Sequence, residues 1–532
     1  MRYVVTGKQM KLVDQDTINR IGIPSLVLME RAALAIADEV CESCEAGSCV
    51  LLACGTGNNG ADGIAAGRIL RGRGYRVTVL LAGNPERATV EHVQQQKIAE
   101  ALGVTMVWHT AGTQNRDGES VPWQKIRYDV IVDALFGIGL TRDLEGDYRD
   151  LIVTLTDMAW GRMDGGERQE TLREKERRPC VIAVDMPSGI SSETGAVMGI
   201  ALLADVTVTF GFLKTGLLLY PGRSYAGEVK TADVGFSDVS LSYSGYDCRT
   251  LTREDLKHLP KRRADGNKGS FGKVLVIAGC RGMSGAGYLS ALAAYRTGAG
   301  LVKVLTVPEN RMILQTQLPE SIVSVYDPDK LSQDEGAKTL IEQQCDWADV
   351  IVLGPGLGQE SHVEYLTETV LSYAYVPIVL DADGLNTVAA NPYLTRYFTE
   401  NIVITPHMGE MARLCSRPVA ELKADPVRAA REYSSRYGVV CVMKDAATVI
   451  ADKDGNTYVN TSGSSAMAKG GSGDVLTGVI AGLLARGMEL PEAAAYGVYL
   501  HGLAGEKAAE GSGTDCLLAH DIADAILTEG ST

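Results

Sequence analysis

The sequence predicts two α/β domains, each built on a buried parallel sheet, and three observations carry that prediction. A chain of 532 residues, at roughly 100–200 residues per domain, has room for two to four cores. Short runs rich in Val, Ile and Leu alternate with helical segments through both halves, the pattern of strands buried on both faces. The 59 glycines fall in short loops between those runs and form no low-complexity tract.

In the first half, Cys49–Cys54, Arg76–Ala82, Asp129–Asp133, Val181–Asp185 and Asp205–Phe210 read as strands. In the second, Lys273–Ala278, Leu301–Val307, Val350–Leu353, Ile378–Leu380, Ile402–Thr405 and Val439–Met443 read the same way. Strand–helix alternation of this kind predicts sheets covered by helices on both faces. A polar stretch over 236–265, ending in Lys261-Arg262-Arg263-Ala264-Asp265-Gly266, reads as a linker between domains at 1–240 and 250–532. The charged insert over 161–178 reads as a solvated loop or short surface helix.

Composition narrows the function classes. Hydrophobic residues at 45% and charged residues at 22% are the mix of a soluble globular protein. No apolar run approaches the ~18 residues of a membrane span, and the N-terminus lacks the apolar core of a secretory signal. Fifty-one Lys and Arg against 66 Asp and Glu give a net charge of −15 with no basic cluster, which argues against a phosphate-backbone partner. Eleven cysteines without a signal peptide point to reduced thiols and a cytoplasmic protein. Cys41, Cys44, Cys49 and Cys54 do not read as a zinc site. Cys49 and Cys54 are an odd number of residues apart on one strand, so they face opposite sides, and no second CxxC follows.

Gly55, Gly57 and Gly60 spell GxGxxG between a strand and a helix, the dinucleotide fingerprint in its expected context. The companion acid is missing, because the next strand ends Leu80-Leu81-Ala82-Gly83-Asn84. The loop instead offers Asn58, Asn59 and Asp62. Asp133 and Asp185 close two further strands, and the C-terminal ends of such strands converge on the ligand crevice of an open α/β sheet. Asp and Asn are also common turn and cap residues, so each alone has a structural reading.

Asn58-Asn59-Gly60-Ala61-Asp62-Gly63, Val132-Asp133-Ala134-Leu135-Phe136-Gly137-Ile138-Gly139-Leu140 and Asp185-Met186-Pro187-Ser188-Gly189 resemble the signatures of NAD(P)H-hydrate epimerases, as does Leu28-Met29-Glu30-Arg31-Ala32 upstream. The resemblance covers about residues 1–235 and implies a Rossmann-like doubly wound sheet. It implies that Asn59, Asp133 and Ser188 hold a potassium ion. It also implies that Asn58, Asn59, Gly60, Ala61 and Asp62, the loop Gly137, Ile138, Gly139, Leu140, Thr141, Arg142 and Asp143, and Asp185 contact the hydrated dinucleotide. Epimerisation at C6 of the hydrated ring needs acid/base help and stabilisation of a cationic intermediate, and Asp185 is the best-placed carboxylate for both. It could instead orient the carboxamide or ribose.

The second half carries the sharper signal. Ala468-Lys469-Gly470-Gly471-Ser472-Gly473-Asp474 precedes an apolar helix, so backbone N–H groups can approach a phosphoryl group at a helix terminus. An Asp directly after the last loop glycine could take the proton of a hydroxyl facing that phosphoryl. This GxGD arrangement resembles the ribokinase-like fold. Gly279–Ala286, Gly354-Pro355-Gly356-Leu357-Gly358, Leu380–Asn386, Thr405-Pro406-His407-Met408-Gly409-Glu410 and Lys444–Ile450 narrow the resemblance to the ADP-dependent NAD(P)H-hydrate dehydratases over about 250–528. By position, Ala286, Gly356, His407 and Asp474 should then contact the hydrate, while Lys444, Asp445, Ala446, Ala447, Thr448 and Gly473 should hold ADP, with Mg²⁺ as divalent ion. Two residues depart from the pattern: Asp445 stands where the family usually has Gly, and Lys469 where it usually has Thr.

The combined expectation is a bifunctional repair enzyme. One domain would interconvert the R and S hydrates of NADH and NADPH, and the other would dehydrate the S form at the expense of ADP, giving AMP and phosphate. Asp185 and Asp474 would be the catalytic residues. The partners expected are small molecules, with neither nucleic acid nor membrane, and a homo-oligomer is expected. The alternative is a ribokinase-like small-alcohol kinase fused to a non-catalytic dinucleotide-binding module.

Overall fold

The computed structural model describes residues 1–109, 122–161, 178–245, 247–331 and 335–526, so most of the insert expected at 161–178 lies outside the described residues. Contacts divide the chain into two units, Tyr3–Tyr246, and Asp247–Thr532 with Met1–Arg2.

Strands β1 (Arg2–Val5), β2 (Cys49–Gly55), β3 (Arg76–Ala82), β4 (Thr105–Trp108), β5 (Val130–Ala134), β6 (Cys180–Val184), β7 (Val206–Phe210), β8 (Leu213–Lys214) and β9 (Glu228–Ala232) build the first unit. Seven of them form one sheet in the order β4-β3-β2-β5-β6-β7-β9, parallel throughout. Alternate residues of the central strands face two cores. Leu52, Cys54, Val79 and Val132 pack on one side, and Leu51, Ala53, Leu80 and Ile131 on the other. The strand order reverses between β2 and β5, which is where such sheets open a crevice at their C-terminal ends.

The strand runs read from the sequence are present, with boundary shifts that matter for chemistry. β6 ends at Val184, and Asp185 lies beyond it at φ 65°, a left-handed conformation that L residues seldom hold. Asn58–Asp62 is not a loop, because the helix Asn58–Gly72 begins at Asn58. β4 and β9 went unread because they are the sheet's two edges. Their residues are at most half-buried and show no continuous apolar run.

In the second unit β10 (Cys248–Thr250), β11 (Lys273–Ile277), β12 (Leu301–Thr306), β13 (Ile322–Val325), β14 (Val350–Leu353), β15 (Ile378–Leu380), β16 (Ile402–Ile404), β17 (Val440–Met443), β18 (Val449–Ala451) and β19 (Thr457–Val459) follow the order β13-β12-β11-β14-β15-β16-β17-β18-β19-β10. The sheet is parallel from β13 to β17, and β17-β18-β19 is an antiparallel meander. Its switch point lies between β11 and β14. The helix Ser472–Ala485 is apolar nearly all round and buried, packing on the helix Ser284–Thr297. A Cβ at Gly478 would meet Ser290 O at 2.2 Å, and small residues here let the backbones approach. The polar stretch read as a linker holds regular structure instead: the helix Asp238–Tyr243, β10 and a 3-10 turn over Arg253–His258.

Candidate functional site

In the first unit the ends of β2, β5 and β6 converge. A Cβ at Gly60 would stand 1.7 Å from Gly55 O, so the turn from β2 into its helix closes only with glycine there. Asn59 lies against Gly137 of the loop after β5, where an added Cβ would be 2.9 Å from Asn59 Oδ1. The Asn59 Nδ2 is buried without a hydrogen-bond partner. Asp133 is fully buried. Its Oδ2 accepts from Ser188 N at 2.7 Å, and its Oδ1 accepts from Ser188 Oγ at 2.6 Å. Burial pushes the Asp133 carboxyl up to about 6, against the pull of those bonds. Ser188 Oγ also accepts from Phe136 N at 2.9 Å, tying the two loops together.

Asp185 is almost wholly buried, and its two oxygens differ. Oδ1 accepts from Lys214 Nζ at 2.5 Å, Thr209 Oγ1 at 3.2 Å and Phe210 N at 3.2 Å, whereas Oδ2 takes no hydrogen bond from any described residue. Lys214 has no exposed surface and also donates to Thr209 Oγ1 and Phe210 O. Burial lowers the Lys214 ammonium and the Asp185 charge opposes that. Burial, then the charges of Asp185 and Asp14, hold the Asp62 carboxyl well above the usual carboxylate range. One anchored carboxylate and one carboxyl able to keep its proton can serve as base and acid. The loop residues Thr141, Arg142 and Asp143 are exposed, as are Asn58 and Gly139.

Lys214 and Asp14 were not read from the sequence. The available signal for Lys214 was a single cation inside the run Phe212-Leu213-Lys214-Thr215-Gly216-Leu217-Leu218. A buried lysine in such a run needs an anion as partner.

The second crevice forms at the ends of β11, β14, β15, β16 and β17. Gly279 N donates to Pro355 O at 2.9 Å and Cys280 N to Gly356 O at 2.6 Å, so the loops after β11 and β14 are laced together. Gly356 has φ 62°, and an added Cβ would stand 2.9 Å from Ala286 Cβ, which places Ala286 and Gly356 in contact. Asp383 Oδ2 accepts from Gly358 N at 2.8 Å. His407 caps its helix with Nδ1, accepting from Gly409 N at 2.9 Å, while its ring stays half exposed. Lys444 N donates to Pro406 O at 2.8 Å, bringing the ends of β16 and β17 together.

The glycine loop behaves differently from its sequence reading in one respect. The helix starts at Ser472, so Gly473 and Asp474 belong to its first turn and Asp474 is the third helical residue. Its carboxyl is pushed up to about 7, by burial first and then by the negative charge of Asp381, with Lys444 opposing. Lys444 Nζ lies 3.3 Å from the position of a Cβ on Gly473. Asp445, the charge that departs from the family pattern, lies 3.4 Å from Lys423 Nζ in an ion pair, so that charge is compensated. Ala446 is exposed, Ala447 and Thr448 are buried, and Lys469 Nζ is drawn off to Asp515 O at 2.9 Å. His501, unread in the sequence, is buried with Nε2 unpartnered and its pKa is pushed down to about 4, by burial and the Lys444 charge.

Comparison with known proteins follows the same division. Residues 25–216 match the family described as YjeF-related protein N-terminus, and residues 274–528 match the family described as NAD(P)H-hydrate dehydratase. A protein of Moorella thermoacetica named bifunctional NAD(P)H-hydrate repair enzyme is 34% identical over 98% of this chain and 95% of its own length. One of the same name from Escherichia coli is 35% identical over 96% of this chain and 90% of its own. A solved structure titled ADP/ATP-dependent NAD(P)H-hydrate dehydratase from Bacillus subtilis, co-crystallized with ATP/Mg2+, is 30% identical over 52% of this chain and 95% of that one, with a TM-score of 0.45. By its identity to these full-length relatives, the chain belongs to the family of bifunctional NAD(P)H-hydrate repair enzymes.

Proposed function

We propose that the first unit interconverts the R and S epimers of NADH and NADPH hydrates at C6, and that the second dehydrates the S epimer using ADP. The observation that carries this reading is a carboxylate at the C-terminal ends of the parallel strands of each sheet, Asp185 directly after β6 in one and Asp474 beside Asp381 and Lys444, which follow β15 and β17, in the other. In the epimerase crevice, Lys214, Thr209 and the Phe210 amide hold Asp185 Oδ1, leaving Oδ2 for the substrate. Asp62 donates a proton to the C6 hydroxyl as the C6–O bond breaks and water leaves, with the ring nitrogen sharing the positive charge beside Asp185. Water then adds to C6 from the opposite face as Asp185 takes its proton, and that proton returns to Asp62.

The oxygen set beside this crevice suits a potassium ion: one carboxylate from Asp133, the Ser188 hydroxyl and the Asn59 amide, whose buried Nδ2 lacks a partner. Turned over, that amide would present Oδ1 at the same place. A single formal charge with neutral oxygens matches a monovalent cation, which would supply a fixed positive charge for the dinucleotide's phosphates.

In the dehydratase crevice, Asp474 accepts the proton of the C6 hydroxyl as that oxygen bonds to the β-phosphorus of ADP and AMP leaves. The C6–O bond then breaks with the ring-nitrogen lone pair pushing phosphate out, and loss of a C5 proton restores the dihydropyridine. Backbone N–H groups at Gly470–Gly473 and the Lys444 ammonium receive the anionic charge. No group of three or more His, Cys, Asp or Glu is placed to hold a metal among the described residues, which suits Mg²⁺ carried in on nucleotide phosphates and water.

The test is Asp474→Asn. Losing a positioned base costs ~10²–10⁴-fold in rate, so dehydration of pure S hydrate should fall at least that far. Calorimetry should find ADP affinity equal or better, and epimerisation should persist. Retained dehydration would place the base elsewhere.

A further inference from the structure

We propose that Asp381, a residue the substrate cannot reach, is a positioning residue of the dehydratase: it fixes Lys444 and Thr477 around the Gly470–Asp474 cradle and supplies the fixed negative charge against which Asp474 works. The proposal rests on the dehydratase reading above. Asp381 follows β15 directly, and its side chain is 2% exposed. Oδ1 accepts from Lys444 Nζ at 2.8 Å and Oδ2 from Thr477 Oγ1 at 2.8 Å. Thr477 Oγ1 is also 2.9 Å from Gly473 O, so one hydroxyl links the buried carboxylate to the cradle itself. Gly473 lies between these groups: a Cβ there would stand 3.3 Å from Lys444 Nζ and 3.7 Å from Asp381 Oδ2.

The backbone around Asp381 is built to hold it still. A Cβ at Gly354, which has φ 126°, would stand 1.9 Å from Asp381 O, and Ala382 takes a left-handed φ of 49°. A left-handed alanine persists only where its surroundings over-determine it. An unpaired ammonium at this place would bind any anion and could swing on its four-carbon stem. Pinned by Asp381, it is a preorganised point charge that costs no reorganisation when the phosphoryl group moves.

The charged groups acting on Asp474 are Asp381 and Asp383, after β15, and Lys444, after β17; Glu410 on the helix Met408–Cys415 and His501 on the helix Leu490–Ser512 in turn feel the Lys444 charge. Asp381 raises the Asp474 carboxyl and Lys444 lowers it. Removing the Asp381 charge therefore moves the acid limb of the dehydration profile to lower pH, and removing the Lys444 charge moves it higher. For a close charge the displacement is about one pH unit or more.

The experiment measures the pH dependence of kcat/KM for S-hydrate dehydration with ADP in wild type, Asp381→Asn, Thr477→Val and Lys444→Gln. Thermal melts check folding. The expected result is an acid limb displaced downward in Asp381→Asn, upward in Lys444→Gln and unmoved in Thr477→Val, which keeps every charge. A folded Asp381→Asn that is slower by the same factor at all pH values would make the residue structural and overturn the proposal. If Asp381→Asn does not fold, Asp381→Glu decides, since it keeps the charge and moves it by one methylene: an acid limb left in place with a raised KM for ADP supports the proposal, and a kcat/KM and ADP KM equal to wild type overturn it. A wild-type protein that forms no NADH from S hydrate overturns the dehydratase reading instead.

Discussion

Asp185 has one oxygen held by three donors and the other bonded to no described residue, and that asymmetry is what the proposed acid/base role requires of a buried carboxylate. Asp185→Asn should slow consumption of the R epimer strongly and leave dehydration of pure S hydrate nearly unchanged. The check is NADH formation from each epimer, corrected for spontaneous epimerisation. Lys214→Met leaves the Asp185 charge buried without its cation, a change that costs about 3–5 kcal/mol. Urea unfolding of the first unit's transition should show that loss, and a difference under ~1 kcal/mol would mean that the pair adds little. The place of Asp185 at a strand end was legible in the sequence, because the apolar run Val181–Val184 before it marks that end. Lys214 was not, because its partner is 29 residues away and its local pattern is that of an apolar strand. Asp381 stood within a recognised motif, but its role depends on Lys444 and Thr477, which only folding brings to it.

Elements follow the same division between local and distant causes. Buried central strands such as β3, β14 and β15 announced themselves by their own residues, to the exact boundary. The edge strands β4, β9 and β13 did not, since one side of each needs no apolar face and pairing alone defines them. The start of the helix Asn58–Gly72 was hidden by its own glycines. They read as a loop, although Gly60 is in fact demanded by the 1.7 Å approach to Gly55 O. Gly60→Ala should therefore destabilise the first unit by ~2 kcal/mol or more, because backbone has to move. Gly139→Ala meets open space and should stay within about 0.5 kcal/mol. Thermal or urea unfolding of both variants compares the two positions, and equal effects would contradict the packing described.

At the scale of the whole molecule, the parallel parts of the two sheets share one strand order, with the first strand central, the next two on one side and the rest on the other, and each opens a crevice where that order reverses. The fold class and the residues at the strand ends were legible because that arrangement is written in short apolar runs followed by Gly, Asp and Asn. What the crevices do with those residues depends on charges brought together from distant segments. The cation expected beside Asp133 gives one test at this scale: KCl should raise the melting temperature of the wild type above its value in LiCl at equal ionic strength. Asp133→Asn should lose that difference, and a difference retained in the variant would place the ion elsewhere. The most direct measurement incubates the protein with mixed R and S hydrates, ADP, Mg²⁺ and KCl, following reduced-nicotinamide absorbance. The account predicts complete return of NADH from both epimers with one AMP and one phosphate each. Absorbance that does not return, or a stable phosphorylated alcohol in place of free phosphate, would contradict it.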